Sequence, residues 1–358
     1  PVNSLMTKAN AASKTTFEGG KTVEDGTWKG WTWNVFGSST DVTKAFATDT
    51  GNGGVTLEVT GDKGKINGSA SDQGLNTFLY ELDKSYDFTI TAQAKVDTLA
   101  ANAQAAFGLT IRDNVGAHGN TAKLTADKNN FAFVGGYGNQ AASGHGNAGY
   151  KTTALAHTRL GESPEVGGTY DLAIQKVGDS VKLYFNGEVA AECSADDLIT
   201  DNAMYVGLFA ARNAKVTFNN VKLAYTQDSS SVKVTTNVTA PKKTTYCAGN
   251  TYEDVDLTGF KATVSVDGKE REITASDCVV DMSNDPFAEV TDAGKLNLLY
   301  LGQTIEVPIT VIKEVVSDMY IEYMPVKTDY MVTDTALDFT GLVGKVVYNL
   351  SLIHISEP

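Results

Sequence analysis

Phe88-Thr-Ile-Thr-Ala-Gln-Ala-Lys-Val96 places an apolar residue at every second position, and that two-residue period decides the fold class. Successive side chains of an extended strand point to opposite faces. Phe88, Ile90, Ala92, Ala94 and Val96 therefore share one face, and Thr89, Thr91, Gln93 and Lys95 the other. The same alternation recurs in Val55–Val59, Thr77–Tyr80, Ala105–Ile111, Tyr170–Ile174, Val181–Phe185, Tyr205–Phe209 and Val216–Leu223, separated by Gly, Asn, Asp and Ser. None of these runs has a convincing helical alternative. Asn186-Gly187 falls between Val181–Phe185 and Glu188–Ala191, and this pair tolerates the positive φ angles of a two-residue hairpin turn. The chain reads as all-β, and one β domain over residues 15–226 is expected to be a two-sheet jelly-roll sandwich.

Between His118 and Gly167 the strand pattern thins. Gly135-Gly-Tyr-Gly-Asn139 and Ser143-Gly-His-Gly-Asn-Ala-Gly149 read as irregular surface excursions, which often border a binding face.

After residue 231 the chain repeats itself. Pro241-x-Lys243-Thr244-x-Tyr246 followed by Asp256-Leu-Thr-Gly-Phe260 returns as Pro325-x-Lys327-Thr328-x-Tyr330 followed by Asp338-Phe-Thr-Gly-Leu342. The expected organisation is an N-terminal extension (1–14), the jelly roll (15–226), a linker (227–231) built on Gln227-Asp-Ser-Ser-Ser231, a first repeat (232–314), a truncated second repeat (315–349) and a tail (350–358). Asp267-Gly268 is a second expected hairpin turn. The second copy stops soon after its first strand and Pro1 is not an initiator methionine, so the natural protein is expected to extend at both ends.

With 42% hydrophobic residues the chain has material for real cores, and its formal charge of −14 lacks the basic footprint that nucleic acid or an anionic membrane demands. No apolar stretch is long enough to span a membrane. Cys193, Cys247 and Cys278 form an odd set without CxxC spacing, which argues against zinc; Cys247 and Cys278 could pair in an exported protein.

The pattern of residues 241–311 resembles the bacterial immunoglobulin-like modules (group 3-type) found in tandem on secreted and cell-surface proteins. It includes Val266-Asp-Gly-Lys269, Ala293-Gly-Lys-Leu296, Tyr300-Leu-Gly-Gln303 and Val307-Pro-Ile-Thr-Val311. The large domain resembles the concanavalin A-like jelly rolls that accompany extracellular carbohydrate-active enzymes. Tyr86–Val96, Phe107-Gly-Leu-Thr-Ile-Arg-Asp113 and Val206–Val221 carry that resemblance. Such domains often sit beside pectate-lyase-like β-helices, which implies a secreted or surface-attached bacterial parent that binds or degrades polysaccharide. Leu350-Ser-Leu-Ile-His-Ile-Ser-Glu-Pro358 resembles a translated sequencing-library adaptor, so His354 is set aside as a ligand.

Jelly-roll glucanases place carboxylates at alternate positions of one strand. Glu81-Leu82-Asp83 approaches that arrangement, but Ser85 stands where a third acid would complete it, so no catalytic residue is assigned. Trp31 and Trp33 alternate and are expected to anchor a core strand, whereas Trp28, between Gly26 and Gly30, is the one expected to be exposed for stacking on a sugar ring. Arg112 and Asp113 end an alternating strand and are candidates for holding sugar hydroxyls or a uronate carboxylate, with a structural ion pair as the alternative. Tyr137, His145 and Tyr150 join the carbohydrate-binding candidates by their place in the glycine-rich stretch. No cofactor is expected; Ca²⁺ could sit in acidic loops of such a sandwich, but no spaced Asp/Asn cage supports it. A non-catalytic glycan-binding fragment with spacer repeats is the leading reading. A glycan-cleaving jelly roll and a surface adhesin or structural stalk are the alternatives, the last of which predicts a concave sheet face filled by loops or apolar side chains and no exposed aromatic.

Overall fold

A computed structural model describes residues 15–37, 40–66, 74–100, 104–122, 124, 129–137, 146–151, 155–159, 165–348 and 354–356. The large domain comprises β1 (Thr15–Thr16), β2 (Trp31–Phe36), β3 (Ala45–Asp49), β4 (Val55–Val59), β5 (Leu75–Asp83), β6 (Asp87–Leu99), β7 (Ala106–Arg112), β8 (Phe131–Tyr137), β9 (Gly146–Lys151), β10 (Leu155–Arg159), β11 (Thr169–Val177), β12 (Ser180–Phe185), β13 (Glu188–Ser194), β14 (Ala203–Ala211) and β15 (Ala214–Thr226). One short helix, α1 (Ala195–Leu198), interrupts them. An eight-stranded sheet in the order β1-β3-β4-β15-β6-β11-β12-β13 and a seven-stranded sheet in the order β10-β9-β8-β7-β14-β5-β2 enclose one core, forming a jelly-roll sandwich. Phe88, Ile90, Ala92, Ala94 and Val96 of β6 all enter that core, as their alternation dictates.

The Asn186-Gly187 turn joins β12 to β13 with φ angles of 48° and 83°, both in the left-handed region that this residue pair tolerates. The expected excursion at 118–167 is corrected in part, since β8, β9 and β10 extend the seven-stranded sheet there. Gly135 belongs to β8 and faces Gly108 of β7 across the ladder. A Cβ on Gly108 would collide with the Val134 carbonyl oxygen, and one on Gly135 with that of Phe107. The glycines that imitate a loop therefore permit a close strand pairing.

Two compact units divide the chain. The first contains Pro1–Val238, Lys261–Met282 and Asn297–Ile305; the second contains Thr239–Phe260, Ser283–Leu296 and Glu306–Pro358. Within the first unit, part of the outward face of the eight-stranded sheet is covered, around β6, β11 and β12, while Phe46 and Lys95 stay exposed. Thr91 donates to Ser276 O (2.6 Å), Leu301 N donates to Thr89 Oγ1 (3.3 Å), and Ala173, Tyr184, Val279 and Leu299 pack together. Thr89 and Thr91, outward by phase, are consequently buried. The linker stretch also makes local contacts in this unit: Ser229–Ser231 forms a 3-10 turn, and Gln303 Nε2 donates to Ser229 O (2.8 Å).

The remaining strands are β16 (Lys233–Thr239), β17 (Thr245–Cys247), β18 (Lys261–Val266), β19 (Lys269–Thr274), β20 (Val279–Val280), β21 (Thr291–Tyr300), β22 (Gln303–Ile312), β23 (Val316–Tyr323), β24 (Val343–Tyr348) and β25 (His354–Ser356). They form sheets ordered β16-β18-β19, β17-β22-β21-β20 and β23-β24-β25. Asp267-Gly268 forms the expected turn between β18 and β19. In the second unit the two sequence copies adopt the same local geometry. Lys243 Nζ lies 4.6 Å from the Tyr246 ring centre and Lys327 Nζ 4.5 Å from that of Tyr330. Thr258 N and Thr340 N each donate to the preceding Asp side chain at 2.9 Å, and Gly259 and Gly341 hold φ of 89° and 86°. Tyr246 is fully buried, whereas Phe339, Met331 and Val332 of the second copy are exposed. All three cysteines are free thiols.

Gly108→Ala should lower stability by about 3 kcal/mol through the backbone collision. Gly53→Ala, where φ is +73° but the added carbon meets open space, should cost only about 1 kcal/mol. Urea denaturation of the two variants checks the difference, and equal losses would contradict the close-pairing account.

Candidate functional site

Arg112 lies on the face of the seven-stranded sheet that points away from the core, and around it that face is closed. Phe36, Ile66, Leu75, Ala106, Phe131, Phe133, Phe209 and Ala211 form a second apolar cluster there, each of them buried. Arg112 lies among them with no exposed surface, its guanidinium carbon 5.0 Å from the Phe131 ring centre and 5.7 Å from that of Phe36. Its Nη2 donates to Asn129 Oδ1 (2.7 Å) and its Nε to Asn114 O (3.2 Å).

Asp113 is equally buried. Its Oδ1 accepts from Asn130 N (3.0 Å), and its Oδ2 accepts from Asn130 Nδ2 (2.9 Å) and Thr200 Oγ1 (3.3 Å). Burial dominates both ionisations: it pulls the Arg112 pKa down to about 10, still charged at neutral pH, and pushes the Asp113 carboxyl above its ordinary range. Both groups are buried and bonded within the domain, each to its own partners.

Trp28 is a second correction. It is 4% exposed and packs edge-on against Trp31 (5.7 Å) and Phe78 (5.5 Å). Gly26 and Gly30 adopt positive φ, and Trp31 N donates to Trp28 O, so the turn folds the indole inward over β2. Trp31 and Trp33 occupy the core as expected. Tyr137 ends β8 half-buried against Phe133 (6.2 Å), and burial raises its phenol pKa. Tyr150 pairs in register with Ala132, and His145 lies outside the described residues. Glu81 and Asp83 are exposed; the Asp83 carboxyl is held below its usual range by bonds from Ser85, the opposite of what a general acid requires. His118 is structural: its Nδ1 accepts from Val35 N (3.2 Å), and burial lowers its pKa.

A cleft that the sequence reading missed lies at one end of the sandwich, with a volume of about 380 Å³. It is lined by Lys84, Asp87, Lys176, Asp179, Asp196 and Gln227, among others. Lys176 is 4% exposed and sits at the inward phase of β11, following Tyr170, Leu172 and Ile174. Its Nζ donates to Tyr86 O (2.9 Å) and lies 3.7 Å from Asp87 Oδ1, which accepts from Gly178 N (2.8 Å). Asp179 accepts from Ser194 Oγ (2.8 Å) and Asp196 N (2.7 Å), which hold its pKa low.

Three half-buried tyrosines, none of them in the cleft lining, pack against the core. Tyr86 lies between the lining residues Ser85 and Asp87, its ring 5.5 Å from that of Tyr225, and Tyr225 and Tyr80 share a 2.9 Å hydroxyl contact. A lysine at the core phase of a strand end was the one available signal for this site.

No known family profile matches the chain. It is 29% identical over 311 residues to pectate lyase L of Thermoclostridium stercorarium, a match covering 85% of this chain and 23% of that protein. The chain thus spans under a quarter of that relative's length. Among solved structures, carbohydrate-binding module CBM66 from Bacillus subtilis is 17% identical (54% of this chain, 94% of that one, TM-score 0.32). Lectin II from Ulex europaeus is 10% identical (60% and 99%, TM-score 0.37).

Arg112→Ala, which removes the donor to Asn129 and the positive charge near Asp113 and leaves a cavity between Phe36 and Phe131, should cost about 3–5 kcal/mol in urea denaturation. An unchanged midpoint would show that the face is open in solution. His118 gives a pH dependence of defined sign: its folded pKa is below its unfolded value, so its contribution is present at higher pH and is lost as pH falls through the unfolded range. The acid-side decline in melting temperature should be shallower in His118→Gln, and an identical profile would count against the Val35 contact.

Proposed function

We propose that this chain is a non-catalytic part of an extracellular or cell-surface bacterial protein that acts on polysaccharide, with the jelly roll binding glycan and immunoglobulin-like modules following it. The match to pectate lyase L over 85% of the chain carries this reading. The cleft at the sandwich end supports it, because its convergent polar groups, with Ala195 and Ile199 among the lining, suit a sugar's hydroxyls. The non-catalytic part of the reading rests on the acids of β5, Glu81 and Asp83, after which Ser85 stands in place of the third alternating carboxylate. Pectin-type polymers enter as one ligand class through the relative's name alone.

The closed face of the seven-stranded sheet favours a second reading, a structural stalk without a glycan site. Pull-down of the chain by insoluble cell-wall polysaccharides separates the two. Retention without release of reducing ends or unsaturated products is the expected result. Failure to bind any of them supports the stalk, and product release supports an enzyme.

A further inference from the structure

We infer that the cleft at the sandwich end is a binding site for an uncharged sugar unit and rejects uronates, an inference that rests on the glycan-binding reading above. Its charge pattern selects the ligand. Lys84 and Lys176 supply two ammonium groups, while Asp87, Asp179 and Asp196 supply three carboxylates, on a chain whose formal charge is already −14. An anionic sugar entering this space would meet more like charge than opposite charge. A hydroxyl both donates and accepts, and the cleft offers both kinds of partner side by side.

Lys176 is the second observation. An ammonium carries three donors, and here the Tyr86 carbonyl takes one while Asp87, at 3.7 Å, lies beyond good hydrogen-bond distance. A charge 4% exposed and so sparsely bonded retains donor capacity for a sugar oxygen at the cleft. Ala195 and Ile199 provide the apolar side of the lining. Tyr225, Phe88 and Lys176 occupy one cross-strand row over β15, β6 and β11, so aromatic and ammonium groups are held at the same level of the sandwich. The volume of about 380 Å³ falls near the lower end of the roughly 300–1,000 Å³ usual for small-molecule sites.

Affinity electrophoresis of the full chain in gels containing galactomannan, xylan, β-glucan, arabinan or polygalacturonate tests this. Retardation is expected with at least one neutral polymer and not with polygalacturonate. Asp196→Ala and Gln227→Ala change exposed side chains and should weaken neutral-polymer binding about tenfold each with unchanged melting temperature. Stronger retardation by polygalacturonate, or neutral binding that survives both substitutions, overturns the inference while leaving the glycan-binding reading intact. No retardation by any polymer overturns both.

Discussion

A guanidinium with no exposed surface, held between Phe36 and Phe131, organises the outward side of the seven-stranded sheet. Burying such a charge is costly unless it is bonded and countered. The neighbouring Asp113, Asn129, Asn130 and Thr200 are accordingly committed to one another or to Arg112. These groups cannot also serve a sugar without dismantling the network. The Gly108–Gly135 pair works in the same direction, because its close backbone approach leaves that part of the sheet without side chains to offer.

The opposite sheet is covered in part, for a different reason. Thr89 and Thr91 point outward by phase, but Leu301 N and Ser276 O have engaged their hydroxyls, and Val279 and Leu299 cover Ala173 and Tyr184. Segments that the sequence presents as belonging to a spacer thereby share a compact unit with the jelly roll. The cover is local, since Phe46, Lys95 and Asp171 on the same outward face stay exposed.

The alternation that opened the sequence reading translated directly into β4, β6, β7, β11, β12, β14 and β15, because period-two burial is a local property of strands. Both Asx-Gly hairpins were legible for the same reason. β8 was not, since Gly135 and Gly136 signal a loop unless the partner strand, with Gly108 opposite, is known. Trp28 and Arg112 failed similarly. Which side of a turn an indole falls on, and whether a strand-end arginine meets water or two phenylalanines, depends on residues distant in sequence. Local pattern contains no such information.

Lys176 shows what a closer reading could recover. Along β11 the inward phase runs Tyr170, Leu172, Ile174 and then a lysine, so the periodicity itself assigns a cation to the end of the core. A lysine there must reach water, find a counter-charge or serve a ligand. Its length carries the ammonium to the Tyr86 carbonyl and toward Asp87, at the cleft that both charged side chains line. A break in an apolar phase is therefore the local signal that a buried charge, and the polar groups that must answer it, lie at that end of the core.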